Sequence, residues 1–355
     1  MSAFSRALLT WYDHHKRDLP WRETQDPYHI WLSEIIMQQT RVAQGTPYYL
    51  RFIENYPSVQ DLAAAPQEDV LKLWQGLGYY SRARNLHATA QYIAIELDGK
   101  FPGNYRDLLK LKGVGSYTAA AIASFAYDLP HAVVDGNVYR VLSRIYGIET
   151  PIDTTAGQKE FQKLAQELLD PDRPSDHNQA IMEFGATQCA PKRPYCVLCP
   201  FNDRCVAQAT GRIADLPVKQ GKTKVRDRYL NYFVFGDDEK SILLERTGKG
   251  IWQGLYELPV LETETLVHDA QLLREHDDLP NLCEVVGLSV IRFRESDTSL
   301  LNKEPVIHKL SHQRLHATFW KVDAMPDKAM DMQELRKLPV PVLISNWAQK
   351  HWPNY

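Results

Sequence analysis

The chain has 355 residues, above the roughly 250–300 at which a single hydrophobic core usually gives way to two, so two domains are expected and a small disulfide-stapled fold is excluded. With 44% hydrophobic and 24% charged residues it has ordinary globular proportions. It shows neither an uncharged apolar run of about 18 residues nor a basic, apolar leader, which predicts a cytoplasmic protein with no membrane or secretory segment. The net charge of −3 excludes a uniformly basic nucleic-acid coat; the balance is +2 over residues 1–228 and −5 over 229–355, which leans a polyanion-binding face toward the first part.

In chain order, apolar residues at helical spacing predict helices over 4–12, 28–42, 70–73, 86–95, 118–126 and 138–145. Turn signals at Asp26-Pro27, Gly76-Leu77-Gly78, Phe101-Pro102-Gly103 and Leu129-Pro130 separate them. Residues 214–228 are polar and basic with no apolar face, the composition of a linker between a domain over 1–213 and another over 229–355. Beyond it, alternating and β-branched runs predict strands over 229–235, 241–244, 285–293 and 315–322, with helical stretches over 265–274 and 344–349. The second domain therefore reads as mixed α and β.

Four segments carry chemistry. Cys189, Cys196, Cys199 and Cys205 place four soft thiolates within 17 residues, a ligand set for zinc or an iron–sulfur cluster, although structural zinc more often uses two separated Cys-x2-Cys pairs; Cys283 stands apart. Lys192, Arg193 and Arg204 inside that loop suit either phosphate or a solvated basic face. Gly113-Val114-Gly115 precedes an Ala-rich helical run, where glycines allow close backbone approach and free N–H groups attract phosphate, or simply turn into a helix. Asp135 stands between an apolar run and the next helix, as an N-cap or as a functional carboxylate. Glu34 interrupts an apolar helix face, where it is either an exposed edge residue or a costly buried acid.

These segments, with Leu19-Pro20-Trp21-Arg22, Trp31-Leu32-Ser33-Glu34, Gln38-Gln39-Thr40 and Gly76-Leu77-Gly78-Tyr79-Tyr80, resemble the helix-hairpin-helix DNA glycosylases of the endonuclease III superfamily. The likeness covers nearly the whole chain and is greatest to the MutY-type adenine DNA glycosylases. It implies a mainly α helix-hairpin-helix domain bearing a 4Fe-4S loop on the four cysteines, followed by an α+β Nudix-like recognition domain. It implies removal of adenine mispaired with 8-oxoguanine or guanine in double-stranded DNA, by a bacterial-type monomer at the nucleoid.

The roles the resemblance implies are specific. Glu34 is the acid at adenine N7 and Asp135 the stabiliser of the sugar cation, with Tyr117 and Asn137 positioning them. Trp21, Arg22 and Gln179 form the base pocket, Gln39 and Tyr79 enter the duplex, and Gly113, Val114 and Gly115 hold a phosphate, with a monovalent cation on nearby carbonyls as in relatives. Leu310, Ser311 and His312 match the loop that reads 8-oxoguanine, with Leu310 where an aromatic residue is common. Strand-cutting relatives carry a Schiff-base lysine at the position of Tyr117, and no lysine occurs between Gly113 and Tyr146, which implies a monofunctional hydrolase. The alternatives are an endonuclease-III-like glycosylase/lyase and a Nudix nucleotide hydrolase; Leu261 to Asp278 lacks a complete Nudix metal box.

Overall fold

A computed structural model describes residues 1–221 and 224–352. Lys222 and Thr223 of the predicted linker, and 353–355 of the predicted second domain, lie outside the described residues. The chain forms two compact units, one of 1–64 with 85–221, the other of 65–84 with the C-terminal part from 222 onward.

This division departs from a cut at 213 in two ways. Residues 65–84 belong with the C-terminal unit: Lys72 Nζ donates to the carbonyls of Arg336 (2.6 Å) and Leu338 (3.0 Å), Val340 N donates to Gln75 Oε1 (3.1 Å), and Arg84 Nη1 donates to Gln253 O (2.6 Å). The predicted linker is also shorter than its composition suggests. Leu216 is buried, the Asp153 carboxylate accepts from Gln220 N (2.9 Å) and Gly221 N (2.8 Å), and strand begins again at Arg226.

The first unit is helical. Helices α1 (Ala3–His15), α2 (Pro27–Met37), α3 (Val42–Asn55), α4 (Ser116–Tyr127), α5 (Gly136–Tyr146), α6 (Thr155–Leu168) and α7 (Pro174–Thr187) supply most of it. Leu8 and Trp11 of α1, Val138 and Leu142 of α5, Phe161 of α6 and Phe184 of α7 bury their side chains in one core that also takes in Phe201 beside the cysteine loop. The predicted helix over 28–42 is two: α2 stops at Met37, Gln39 takes a left-handed φ of +56°, and α3 starts at Val42. Helices α3, α6 and α7 were not marked by the strongest apolar runs; α3 carries an internal proline, Pro47, and α6 keeps only a narrow buried stripe.

In the second unit a mixed sheet is built from β1 (Arg226–Val234), β2 (Val260–Thr263), β3 (Thr298–Leu300), β4 (Val306–Lys309) and β5 (Gln313–Val322). Strands β1 and β5 pair in parallel at its centre; β2 flanks β1, and β3 and β4 both pair antiparallel with β5. Phe233, Phe235, Leu261, Phe293 and Trp320 form the core on one face. The strand predicted over 285–293 is instead two helices, Leu279–Val286 and Val290–Glu295: Gly287 closes the first at φ +75° and Ser289 caps the second through Arg292 N, so cap chemistry overrides the β-branched run. The 241–244 run contributes only short ladders at Lys240–Ser241 and Leu244–Glu245, the helix over 265–274 shrinks to Ala270–Arg274, and the last helix extends over Val342–His351. Among the described residues no helix is long and apolar enough to cross a membrane.

Candidate active site

Asp26 caps α2 by accepting from Tyr28 N (2.8 Å), and Pro27 starts the helix at a position where its missing N–H costs nothing. Ile30, Trp31, Leu32, Ile35 and Ile36 are buried around that helix, and Glu34 is only 8% exposed among them. The exposed-edge reading of Glu34 is thereby removed. Burial pushes its carboxyl up to about 7; a hydrogen bond with Tyr117 and the charge of Arg22 pull it down, while the nearby Asp135 pushes it further up. At neutral pH such a group is divided between its acid and its anion. Tyr117, in the first turn of α4, is pushed well above an ordinary phenol by burial and then by the charges of Glu34 and Asp135, so it stays protonated and donates to the carboxylate.

Asp135 is both a cap and a neighbour of Glu34. It accepts at Oδ1 from Asn137 N and Val138 N (2.8 Å each), and at Oδ2 from Asn137 Nδ2 (2.8 Å), at the N-terminus of α5. Those hydrogen bonds and the helix N-terminus favour the anion, yet burial is the larger influence and leaves the carboxyl above its ordinary value. Asn137 is held in turn by Arg140 Nη2 (2.8 Å to Oδ1), and Arg140 Nε donates to Cys189 O (2.8 Å).

Glu34 opens onto a cleft of about 290 Å³, near the lower end for small-molecule sites, whose walls include Trp21, Arg22, Gln179 and Met182. Trp21 meets Tyr49 edge-on at 5.3 Å. Gln179 accepts from Tyr12 Oη (3.3 Å) and donates to Ser175 Oγ (3.2 Å). Arg22 donates through Nη2 to the buried Glu183 (2.7 Å), which also receives Arg17. Sequence reasoning missed Tyr12, Arg17 and Glu183; the one available signal was that Glu183 lies a helical turn beyond Gln179 on α7.

The hairpin glycine Gly113 has φ +78°, and a Cβ there would come within 2.8 Å of Asn85 Cβ, so both backbone and space call for glycine. Thr89 Oγ1 fastens the turn by donating to Lys112 O (2.7 Å). Gly115 is the N-cap of α4 and Val114 packs inward, leaving the backbone of Gly113 and Gly115 exposed. Gln39 is exposed on the turn after α2, and Gln38 behind it donates to Thr118 Oγ1 (3.3 Å).

In the second unit, Leu310, Ser311 and His312 are the turn joining β4 to β5, closed by Leu310 N to Gln313 O (2.8 Å), with Ser311 and His312 exposed and Leu310 half-buried. Tyr79, half exposed at φ +47°, hydrogen-bonds through its hydroxyl to Ser311 Oγ. Together with Trp252 and His308 these residues line a recess of about 580 Å³. The structure thus joins Tyr79 to the 310–312 turn although 232 residues separate Tyr79 from Ser311.

All four clustered cysteines line one small cavity beside Arg144, while Cys283 is buried in the core of the other unit. Arg144 is buried and donates to Ala190 O (2.9 Å), Pro191 O (3.2 Å) and Cys189 Sγ (3.5 Å); Phe201 N donates to Cys199 Sγ (3.4 Å). Burial pushes the Cys199 thiol up to about 11, with the other three cysteines adding to it, so a cationic centre is what would let these sulfurs ionise together. Among the described residues no three His, Cys, Asp or Glu side chains converge as ligands of one metal ion. Four thiols lining one small, partly open cavity, with N–H donors aimed at two of the sulfurs, are a donor set that suits a polynuclear cluster. Lys192, Arg193 and Arg204 are exposed on the same loop.

Residues 32–171 match the family described as HhH-GPD superfamily base excision DNA repair protein, and residues 231–350 match the NUDIX domain. The adenine DNA glycosylase of Buchnera aphidicola subsp. Baizongia pistaciae (strain Bp) is 31% identical over 323 residues, covering 89% of this chain and 84% of that protein. The adenine DNA glycosylase of Mus musculus is 44% identical over 240 residues, covering 65% of this chain and 47% of the mouse protein; the chain spans less than half the length of the mouse, rat and human proteins it matches. Among solved structures, a thermostable thymine-DNA glycosylase aligns at a TM-score of 0.55 with 31% identity, over 58% of this chain and 95% of that one.

Proposed function

The chain belongs to the adenine DNA glycosylase family, and from that premise we propose that it hydrolyses the N-glycosidic bond of adenine mispaired with 8-oxoguanine or guanine in double-stranded DNA. The observation that carries this reading is Glu34: a buried carboxyl pushed to about 7, hydrogen-bonded to Tyr117, beside a second carboxylate fixed at a helix N-terminus. Breaking the bond between a sugar and a neutral purine leaves a poor anion and an oxocarbenium-like cation, so it needs an acid on one side and a negative charge on the other.

An adenine extruded from the stack, at a cost of a few kcal/mol, would enter the cleft between Trp21, Arg22 and Gln179. Glu34 in its acid form gives its proton to adenine N7 as the bond to C1′ lengthens, and Asp135 stabilises the developing cation. Glu34, now an anion, accepts a proton from the water that attacks C1′, which restores the acid. Tyr117 and Asn137 hold the two carboxyls in place, and Tyr117 offers no amine for an imine, so the strand is left uncut.

In this reading Gln39 and Tyr79 enter the duplex, the Gly113–Gly115 hairpin takes a phosphate, and Leu310, Ser311 and His312 read the partner base. Ser311 offers a donor and an acceptor in one hydroxyl, matching the O8 and N7–H by which 8-oxoguanine differs from guanine. Cys189, Cys196, Cys199 and Cys205 would hold a 4Fe-4S cluster, which when bound supplies a rigid tie for the basic loop around Lys192 and Arg193. The enzyme acts as a monomer at the nucleoid of a bacterial cell.

Borohydride tests the chemistry. Incubation with a duplex bearing A opposite 8-oxoguanine should give strand scission only after alkali and no trapped protein–DNA adduct. A trapped adduct would instead establish the glycosylase/lyase alternative.

A further inference from the structure

Behind Arg22 lies a carboxylate that the proposed reaction does not use. Glu183 is about 1% exposed and its side chain is fully covered, one helical turn past Gln179 on α7. Arg17 grips it with two bonds, Nε to Oε1 (2.5 Å) and Nη2 to Oε2 (3.0 Å), and Arg22 Nη2 reaches Oε2 at 2.7 Å. Arg22 Nη1 donates to Arg17 O (3.0 Å), and its guanidinium lies 5.7 Å from the centre of the Tyr12 ring, the residue that also holds Gln179. The Arg22 guanidinium is thus fixed on three sides while it lines the cleft next to Glu34. Burial alone would push the Glu183 carboxyl up, but the Arg17 hydrogen bonds and the charge of Arg22 more than reverse this, so it stays ionised.

We propose that Glu183 is a positioning residue for the base pocket, clamping Arg22 so that its guanidinium is set at the cleft wall before a base arrives. The inference rests on the proposed adenine excision and adds a residue that touches neither base nor sugar. Preorganisation of this kind acts on the rate of the chemical step, because a pocket group displaced by about 1 Å can cost on the order of a hundredfold. A structural defect acts differently, lowering the fraction of active enzyme and leaving the rate constant of what remains.

The test measures single-turnover excision of A opposite 8-oxoguanine, with rate constant and amplitude read separately, together with affinity for a duplex carrying tetrahydrofuran opposite 8-oxoguanine. Glu183→Gln should lower the rate constant about ten- to hundredfold with amplitude and affinity within about twofold of the parent. Arg22→Met should lower it at least as much, and the double variant should fall no further than Arg22→Met alone. An unchanged rate constant in Glu183→Gln, a loss confined to amplitude, or multiplied losses in the double variant overturn the role. Should Glu183→Gln fail to fold, Glu183→Asp keeps the charge and withdraws it by one methylene; the same drop in rate constant and the same coupling to Arg22 are expected, and their absence is equally decisive. A parent inactive on every adenine mispair overturns the proposed function itself, whereas an active parent with an unaltered Glu183 variant overturns only the clamp.

Discussion

Replacing Glu34 by Gln should cost activity and return stability, because the same group is a proton donor and a buried charge. Its carboxyl rises from 4.5 to about 7 on folding, with burial as the largest cause. A carboxyl raised in this way binds more protons in the folded than in the unfolded chain, so stability is highest below about 4.5, declines as pH rises, and has lost its full share above 7. At about 1.4 kcal/mol per pH unit that share is roughly 3 kcal/mol, a large fraction of an ordinary folding free energy. Gln keeps the shape and does not titrate. The unfolding free energy of Glu34→Gln minus that of the parent should therefore grow by about 2 to 3 kcal/mol between pH 5 and pH 8, measured by urea unfolding followed through tryptophan fluorescence. Single-turnover excision should fall by about a hundredfold or more in the variant, and the parent's rate should decline as pH rises through about 7. A stability difference that stays flat or shrinks with pH would refute the reasoning, since it would mean that the folded state does not resist ionising Glu34.

Asp135→Asn, which keeps the cap on α5 but removes the charge, should bind the mispaired duplex normally and lose most excision; near-parental single-turnover rates would take Asp135 out of the chemistry. Protein purified without air should carry about four irons and four sulfides per chain, unchanged in Cys283→Ser and lost in Cys199→Ser, and stoichiometric zinc without sulfide would show the ligand set to be misassigned. Ser311→Ala with His312→Ala should weaken the preference for 8-oxoguanine over guanine by about 1 to 3 kcal/mol per lost contact, more than it slows excision opposite guanine. A double variant with the parent's ratio of rates on the two mispairs would remove the 310–312 turn from partner reading.

What could be read from the sequence was local. Gly113 and Gly115 mark a turn into a helix because backbone conformation and space at Gly113 exclude a side chain, and Asp135 declares itself as a cap two and three residues before the N–H groups it accepts. Glu34 stood out because a carboxylate among Ile and Trp residues must be either exposed or unusual, and only packing could decide which. Non-local features left no trace. The Arg17–Glu183 pair spans 166 residues and the Tyr79–Ser311 contact 232, and nothing in the apolar pattern ties residues 65–84 to the C-terminal unit. The misread strand over 285–293 shows the opposite failure, where β-branched Val285, Val286, Val290 and Ile291 outweighed the cap signals of Gly287 and Ser289 in the reading but not in the fold.

The measurement that bears most directly on the central claim is the release of free adenine, under single-turnover conditions and at matched salt, from duplexes that differ only in the base opposite A. Adenine should leave rapidly when that base is 8-oxoguanine, more slowly when it is guanine, and not measurably when it is thymine, while a thymine-glycol duplex stays intact. Equal release from A opposite T, or base loss from thymine glycol with none from the adenine mispairs, would contradict the account.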